Sequence, residues 1–356
     1  MKKLNVCVLF GGVSPEHDVS LRSAESVLNH LDGEKYNIIP VGITKEGRWV
    51  RYGGTDYSLL PGEAWMDCAD NCDAAISPVR GQGLLCFRDG GVSTEAIDVV
   101  FPVLHGENGE DGAMQGLLQL AGIPYVGPHV SASAVSMDKT LTKLVMDHVS
   151  IPQAAWKLVR ASSLRNRMTT VLDEVEEKFS YPVFVKPAGT GSSVGVSKAA
   201  DREALEKALL EAGRFDEKIL VEEFIHGREI EVAVMGNDNP VASICGEIDS
   251  GAEFYDYDAK YLTDTSTAYI PARIPEDVEE QVRETAVKAY SALGCQGLSR
   301  VDFFVTFEEN RVVFNEINTL PGFTSISMYP KLFGASGIPY GDLVDNLLKL
   351  ALEARA

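Results

Sequence analysis

Three oxygen-bearing side chains near the C-terminal end, Asp302, Glu316 and Asn318, have the types and spacing to hold a magnesium ion. Within residues 299–322, SRVDFFVTFEENRVVFNEINTLPG, the run RVVFNEIN predicts a strand, so Glu316 and Asn318, two positions apart, share one face of a sheet. Asp302 can join them from the neighbouring strand. Mg2+ takes oxygen ligands in a near-octahedral array that water and substrate phosphates usually complete, and two carboxylates with one amide suit that need. An ordinary hairpin with these groups facing solvent is the alternative. It is disfavoured because acidic residues are depleted from strands and the flanking FFV and VVF are apolar.

A second candidate is VKPAGTGSSVGVSK, where Gly189, Gly191 and Gly195 bracket Thr190, Ser192 and Ser193. Glycines let backbone approach a phosphate closely and turn its N–H groups inward as an anion nest. No GxxxxGK followed by Ser or Thr is present, which excludes a P-loop. The stretch also leads into the short strand VGVSK and not into a helix, which excludes a dinucleotide fingerprint. What remains is a flexible hairpin flap closing over phosphates, with Lys186 just ahead of it to neutralise charge, and a simple surface hairpin is the alternative. Lys139, in SMDK, lies on a helix before the flap, and LVEEFIHGREIEV places Glu222, Glu223 and Glu229 beside an apolar strand. An adenine site needs an apolar slot with acidic or backbone acceptors and a ribose needs a carboxylate, which these residues suit, and a solvated surface charge is the alternative for each alone. Ser192, His105 and the aspartates do not make a serine hydrolase, because no G-x-S-x-G elbow accompanies them.

The elements that must carry these groups alternate between strand and helix without internal repeats. LNVCVLF, NIIPVGI and IDVVFPVL predict strands, and Ala24, Val27, Leu28 and Leu31 mark one face of a helix between the first two. Together they predict an open α/β domain over 1–125. A second unit, 126–217, opens with one helix over SASAVSMDKTLTKLVMDHV, started by Ser131 or Ser133. It continues through the strands AAWKLV and YPVFVKP to DREALEKALLEA, with Asp201 as N-cap. The third, 218–356, starts near KILVEEF, alternates antiparallel strands with the helix EDVEEQVRETAVKAYSAL, and closes on YGDLVDNLLKLALEA.

Composition narrows the partners. A 356-residue chain that is 45% hydrophobic and 24% charged is long and apolar enough for two or three packed domains. No apolar run approaches the ~20 residues that cross a bilayer, and MKKLNVCVLFGG reads as a first strand, not a signal peptide. A formal net charge of −20 argues against nucleic acid and anionic membranes, so a polyanionic ligand must be drawn in by local lysines and glycines. Six scattered cysteines, with no histidine at metal-ligand spacing, predict free thiols in a reduced, cytoplasmic protein.

Lys139, VKP with the GTGSSVG flap, VEEF, SRVD and NEINTLPG, in that order, resemble the ATP-grasp enzymes. Within them the chain resembles the D-alanine–D-alanine ligase family, through LFGGVSPEHDVSLRSA, LHGENGEDGAMQGLLQLAGIPYVG, FYDYDAKYL and NTLPGFTSISMYP, from about residue 5 to residue 345. The resemblance implies a three-domain α/β ATP-grasp fold, ATP as co-substrate, two Mg2+ or Mn2+ ions and a homodimer. It also implies a role in peptidoglycan synthesis. By position it places the metal on Asp302, Glu316 and Asn318, and phosphates on Lys139 and Lys186 under Ser193. Adenine falls between Glu222, Glu223 and Phe224, and ribose on Glu229. It implies a catalytic set of Glu16 for the first ammonium, a hydrogen-bonded trio of Glu16, Ser192 and Tyr261, and an oxyanion site of Arg300 and the Gly322 N–H. His105, Lys260, Ser327 and residue 328 fall at substrate. The implied reaction forms an acyl phosphate from one D-alanine, which the amine of a second attacks.

For the second substrate, Lys260 and Tyr261 match the relatives that do not use D-lactate. Met328 stands where some D-serine-using relatives carry a cation, which favours D-alanine and leaves D-serine as the alternative. Ile326 departs from the histidine found in many members. Two readings outside this one, a non-catalytic ATP sensor and an ATP-grasp ligase for another acid, are disfavoured by the presence of Arg300 and Glu16 and by FYDYDAKYL.

Overall fold

The computed structural model describes residues 3–249 and 267–354. The chain begins with β1 (Leu4–Gly11), α1 (His17–His30) and β2 (Tyr36–Ile43). Four short strands follow, β3 (Trp49–Arg51), β4 (Cys72–Ile76), β5 (Leu84–Arg88) and β6 (Gly91–Glu95), then β7 (Val99–Leu104) and α2 (Ala113–Ala121). All seven strands form one sheet in the order β6-β5-β4-β3-β2-β1-β7. Its centre is parallel, with β1 between β2 and β7, and both faces are covered, which is why LNVCVLF and VVFPVL are continuous apolar runs instead of alternating ones. Ala24, Val27 and Leu28 bury the predicted face of α1 on this sheet, and Leu31 follows just past the helix end. The antiparallel extension β3 to β6 was not expected from sequence, and its outermost strand is exposed.

Next come α3 (Val130–Met137), α4 (Lys139–His148), β8 (Trp156–Arg160), α5 (Ala161–Lys178), β9 (Val183–Pro187), β10 (Ser197–Ala199), α6 (Arg202–Ala212) and β11 (Lys218–Glu223). The single helix expected over 131–149 is two. Asp138 breaks it, its carboxylate accepting the Thr140 and Leu141 N–H groups as the N-cap of α4. Asp201 caps α6 as expected, through the Ala204 N–H. The four strands pair as β10-β9-β11-β8, and α5 and α6 bury Val171, Val175, Leu205 and Leu209 against Val183, Val185 and Val221.

The last part contains β12 (Gly227–Gly236), β13 (Val241–Asp249), β14 (Thr267–Tyr269), α7 (Glu276–Ala292), β15 (Gly297–Thr306), β16 (Val312–Asn318), α8 (Met328–Ala335) and α9 (Tyr340–Glu353). Its sheet is ordered β14-β13-β12-β15-β16 and antiparallel throughout. The helix α7 sets Val278, Val282, Ala286 and Ala289 on one face of the sheet. On the other face α8 and α9 share a core with the N-terminal sheet, where Leu343 and Leu347 pack in one cluster with Val6, Val99 and Leu298. The C-terminal helices therefore lock the first sheet to the third. All six cysteines are free thiols, as the sequence predicted. Among the described residues no helix is long and apolar enough to cross a membrane.

Candidate active site

In open α/β sheets ligands bind beyond the carboxyl ends of parallel strands, and two loops leave those ends here. One follows β1 and carries Glu16; the other follows β7 and carries His105, Gly106 and Glu110. Glu16 is buried at the N-cap position of α1, its N–H donating to Ser14 Oγ at 3.1 Å. Its carboxylate accepts the Ser192 hydroxyl of the flap, so the flap tip docks on the N-terminal loop. Gly106, at φ +71°, passes so close that a Cβ there would lie 2.5 Å from Glu16 Oε2. Gly106→Ala should therefore displace the Glu16 carboxylate and lower kcat/KM for the amino-acid substrate that the resemblance implies by about 10- to 100-fold, read by steady-state kinetics. An unchanged value would contradict the placement of Glu16.

Lysines from two elements meet under the flap. Lys139, the first residue of α4, donates to the Thr190 carbonyl at 2.8 Å and lies 3.8 Å from Glu316. Lys186, on β9, pairs with Glu222 Oε2 at 2.7 Å, and the other oxygen of Glu222 pairs with Lys143 of α4 at 2.5 Å. Burial works to raise the Glu222 pKa, but the two ammonium groups outweigh it and hold the carboxyl down at about 2. Burial works equally against the Lys186 ammonium, and Glu222 with Glu316 and Glu229 holds its pKa above the ordinary value. Lys186 is thus a fixed cation at the cleft wall. Between β9 and β10 the flap places Ser192 and Ser193 at φ 50° and 59°, a left-handed pair that gathers N–H groups as an anion nest does.

On the third sheet Asp302 of β15 sits opposite Glu316 of β16, and Arg300 opposite Asn318. Arg300 grips both Asp302 oxygens, Nε to Oδ1 at 2.8 Å and Nη2 to Oδ2 at 2.7 Å, and lies 3.2 Å from Glu231 of β12. The Asn318 amide donates to Asp302 at 2.9 Å. The predicted trio is therefore assembled on one face. The register shifts between Asp302 and Phe303, leaving Asn315 out of the ladder, and Lys186 lies 3.5 Å from its amide oxygen. Two carboxylates and an amide oxygen, beside lysines suited to phosphate, fit a hard divalent cation.

Glu16, Lys139, Lys186, Ser192 and Ser193 line one cleft of about 760 Å3 with Glu222, Glu223, Phe224 and Glu229, and Glu316 and Asn318 form its floor. One end is apolar, walled by Phe184, Phe224, Ile225 and Phe304. Lys198 Nζ caps the Phe224 ring at 4.5 Å. Glu223 turns its carboxylate to the Ala155 N–H at 2.8 Å, which ties β11 to the start of β8. Arg300 and Asp302 reach the cleft through their pairing with Asn318 and Glu316.

Besides Arg300 and Asp302, four of the predicted residues that the structure describes lie outside the cleft wall. His105 has both ring nitrogens engaged by protein groups, Leu320 O at 3.0 Å and Ser23 Oγ at 3.2 Å. Gly322 and Ser327 face each other across the turn after β16, where a Cβ on Gly322 would lie 2.8 Å from Ser327 Oγ. Met328 is buried, its side chain against Gly246 and Leu332, because it starts α8 and that helix packs on β13. Met328→Arg should put an unpaired charge into that core and cost about 3 kcal/mol or more, while Met328→Leu stays within about 1.5 kcal/mol. Thermal melts of the two variants check this, and equal melting temperatures would contradict it. Lys260 and Tyr261 lie outside the described residues.

Sequence reasoning missed Lys143, Glu231, Asn315 and Glu110. Glu110 accepts the N–H groups of Gly106 at 2.8 Å and Leu320 at 3.2 Å. Burial, then the charge of Glu16, pushes its carboxyl up to about 8. The only signal for Lys143 was its place one helical turn beyond Lys139. For Glu110 it was membership of LHGENGEDG, where nothing in the spacing separates it from Glu107 and Asp111.

The family described as D-ala D-ala ligase N-terminus matches residues 5–128, and that described as D-ala D-ala ligase C-terminus matches residues 145–349. The chain is 50% identical to the D-alanine–D-alanine ligase of Acetivibrio thermocellus, over 99% of this chain and 96% of the relative. It is also 50% identical to that of Caldicellulosiruptor bescii, again over 99% and 96%. Among solved structures, VanG D-Ala:D-Ser ligase from Enterococcus faecalis superposes with a TM-score of 0.89 at 37% identity, covering 98% of this chain and 100% of that one. The D-alanine-D-alanine ligase of Coxiella burnetii gives 0.86 at 36%, covering 99% and 95%.

Proposed function

The chain belongs to the D-alanine–D-alanine ligase family, and from that premise we propose how its cleft divides the work of the reaction. The protein has the ATP-grasp fold and is an ATP-dependent, ADP-forming ligase that joins two D-alanine molecules. In our reading the carboxylate of the first D-alanine attacks the terminal phosphorus of ATP and expels ADP. The amine of the second then adds to the resulting acyl phosphate, and the tetrahedral intermediate expels phosphate as the nitrogen loses its proton.

Phosphoryl transfer asks for positioning and neutralised charge more than for covalent help. Lys139, Lys186 and the N–H groups at Ser192 and Ser193 supply fixed positive charge where the phosphates enter. Phe184 and Phe224 make the apolar slot for adenine, Glu222 and Glu223 sit at its edge, and Glu229 suits the ribose hydroxyls. Glu16 holds the first ammonium, and its bond to Ser192 closes the flap so that water is kept from the acyl phosphate. Arg300 and the Gly322 N–H take the oxyanion, and Ser327 with the start of α8 takes the second carboxylate. Mg2+ or Mn2+, two ions by family likeness, would neutralise phosphate charge and polarise the transferred group, and Asp302, Glu316 and Asn318 are the residues to hold them.

We extend the reading to three working units, 1–125, 126–217 and 218–356, to a homodimer, and to peptidoglycan precursor synthesis in the cytoplasm. The observation that supports the division of work within the cleft is the meeting of Glu16 and Ser192 in the same cleft as Lys139, Lys186 and Glu316. An amino-acid anchor and a phosphate site are thereby brought together. The test is product analysis by mass spectrometry with ATP, Mg2+ and D-alanine, D-serine and D-lactate in competition. D-alanyl-D-alanine should dominate, with no comparable phosphate release from L-alanine. A D-alanyl-D-serine majority, or phosphate release indifferent to D-alanine, would overturn it.

A further inference from the structure

The turn from Leu320 to Phe323, which carries Gly322, is held by the N-terminal loops. Leu320 N–H donates to Glu110 Oε1 at 3.2 Å, and the other oxygen of that carboxylate accepts the Gly106 N–H at 2.8 Å. The Leu320 carbonyl lies 3.0 Å from His105 Nδ1. Phe323 N–H donates to Ser23 Oγ at 3.2 Å, and Ser23 Oγ lies 3.2 Å from His105 Nε2. These partners fix where the protons sit. A carbonyl only accepts, so Nδ1 carries hydrogen. Burial disfavours a charged ring, so Nε2 keeps its lone pair and takes the Ser23 hydroxyl hydrogen, while the Ser23 oxygen accepts the Phe323 N–H. His105 is then a neutral imidazole with both nitrogens used, its pKa lowered by burial.

Ser23 lies on α1, the helix that Glu16 begins. Seven residues separate them, about 10 Å of helix rise. One rigid element thus bears the anchor for the first ammonium and a grip on the turn that presents Gly322. We propose that Ser23, His105 and Glu110 are positioning residues that register the Gly322 N–H against the carbonyl of the first substrate, so that the N-terminal unit sets the oxyanion site of the third sheet. This rests on the reading of Gly322 as an oxyanion donor.

A positioning role predicts a split between the two half-reactions. Ser23→Ala and His105→Ala should lower the ligation kcat by about 10- to 100-fold. Scrambling of the bridging oxygen in oxygen-labelled ATP with D-alanine, which reports acyl phosphate formation, should stay within a few-fold of the parent. His105→Asn keeps an amide N–H near the place of Nδ1 and should recover most of the ligation rate. Ligation and scrambling falling together, or ligation unchanged in both alanine variants, would overturn the proposal. Should His105→Ala fail to fold, Ser23→Ala, which removes one hydroxyl, carries the same comparison. Crystal structures of the variants separate the two ways to fail. An undisplaced turn refutes the positioning role, whereas a displaced turn with intact ligation refutes the reading of Gly322 itself.

Discussion

Arg300→Ala should lower kcat by about two orders of magnitude or more, the loss seen when a preorganised oxyanion donor is removed, with a much smaller change in KM for ATP. Nε and Nη2 of the guanidinium are committed to Asp302, and Glu231 lies beside it. Among the described residues Nη1 makes no hydrogen bond, which leaves it for a substrate oxygen. Burial works against the charge, but Asp302 and Glu231 hold the pKa well above its ordinary value, so the cation persists at any working pH. Arg300→Lys keeps a charge and loses the two-point grip on Asp302, so it should fall between the parent and the alanine variant. Steady-state kinetics on both variants decide the matter, and near-normal turnover in Arg300→Ala would remove Arg300 from the role.

The largest stability effect belongs to Glu222. This buried carboxylate is the counter-charge for both Lys143 and Lys186. Glu222→Ala leaves two ammonium groups facing each other in the wall of the cleft and should cost about 3–5 kcal/mol. The pH dependence gives a second readout. The folded pKa of about 2 lies below the value of 4.5 for an unperturbed glutamate, so the unfolded chain binds the proton more tightly. The stabilisation from Glu222 is therefore complete above 4.5 and is lost as pH falls from 4.5 towards 2. The gap in melting temperature between parent and variant should be wide at neutral pH and narrow below pH 4.5. A gap that does not change with pH would contradict the ion-pair account.

How much of this could be read from residues alone depended on whether local rules or tertiary packing decided the outcome. The period of two along a strand brought Glu316 and Asn318 to one face, and the capping preference of aspartate fixed the start of α6. Both rules act within a few residues. The same preference at Asp138 went unused, because helical periodicity runs unbroken through SMDKT while the carboxylate competes for the backbone. Short strands such as CDAAI and GVSTE have too little apolar patterning to announce the antiparallel extension of the first sheet. The burial of Met328 was not legible because α8 was not anticipated. Without a helix starting at that residue, nothing specified that its side chain turns inwards against Gly246. Lys143, Glu110 and the Ser23–His105 pair owe their roles to contacts between units far apart in sequence, which no spacing rule encodes.

On the proposed reading, Asp302, Glu316 and Asn318 exchange their mutual contacts for a divalent cation at the terminal phosphate of ATP, beside an amino acid held by Glu16. A crystal grown with a non-hydrolysable ATP analogue, Mn2+ and D-alanine tests it through the anomalous signal of manganese. The account predicts a peak bounded by oxygens of all three side chains and by the terminal phosphate, with the D-alanine ammonium on Glu16. A peak elsewhere, with the Asn318 amide still donating to Asp302, would contradict it.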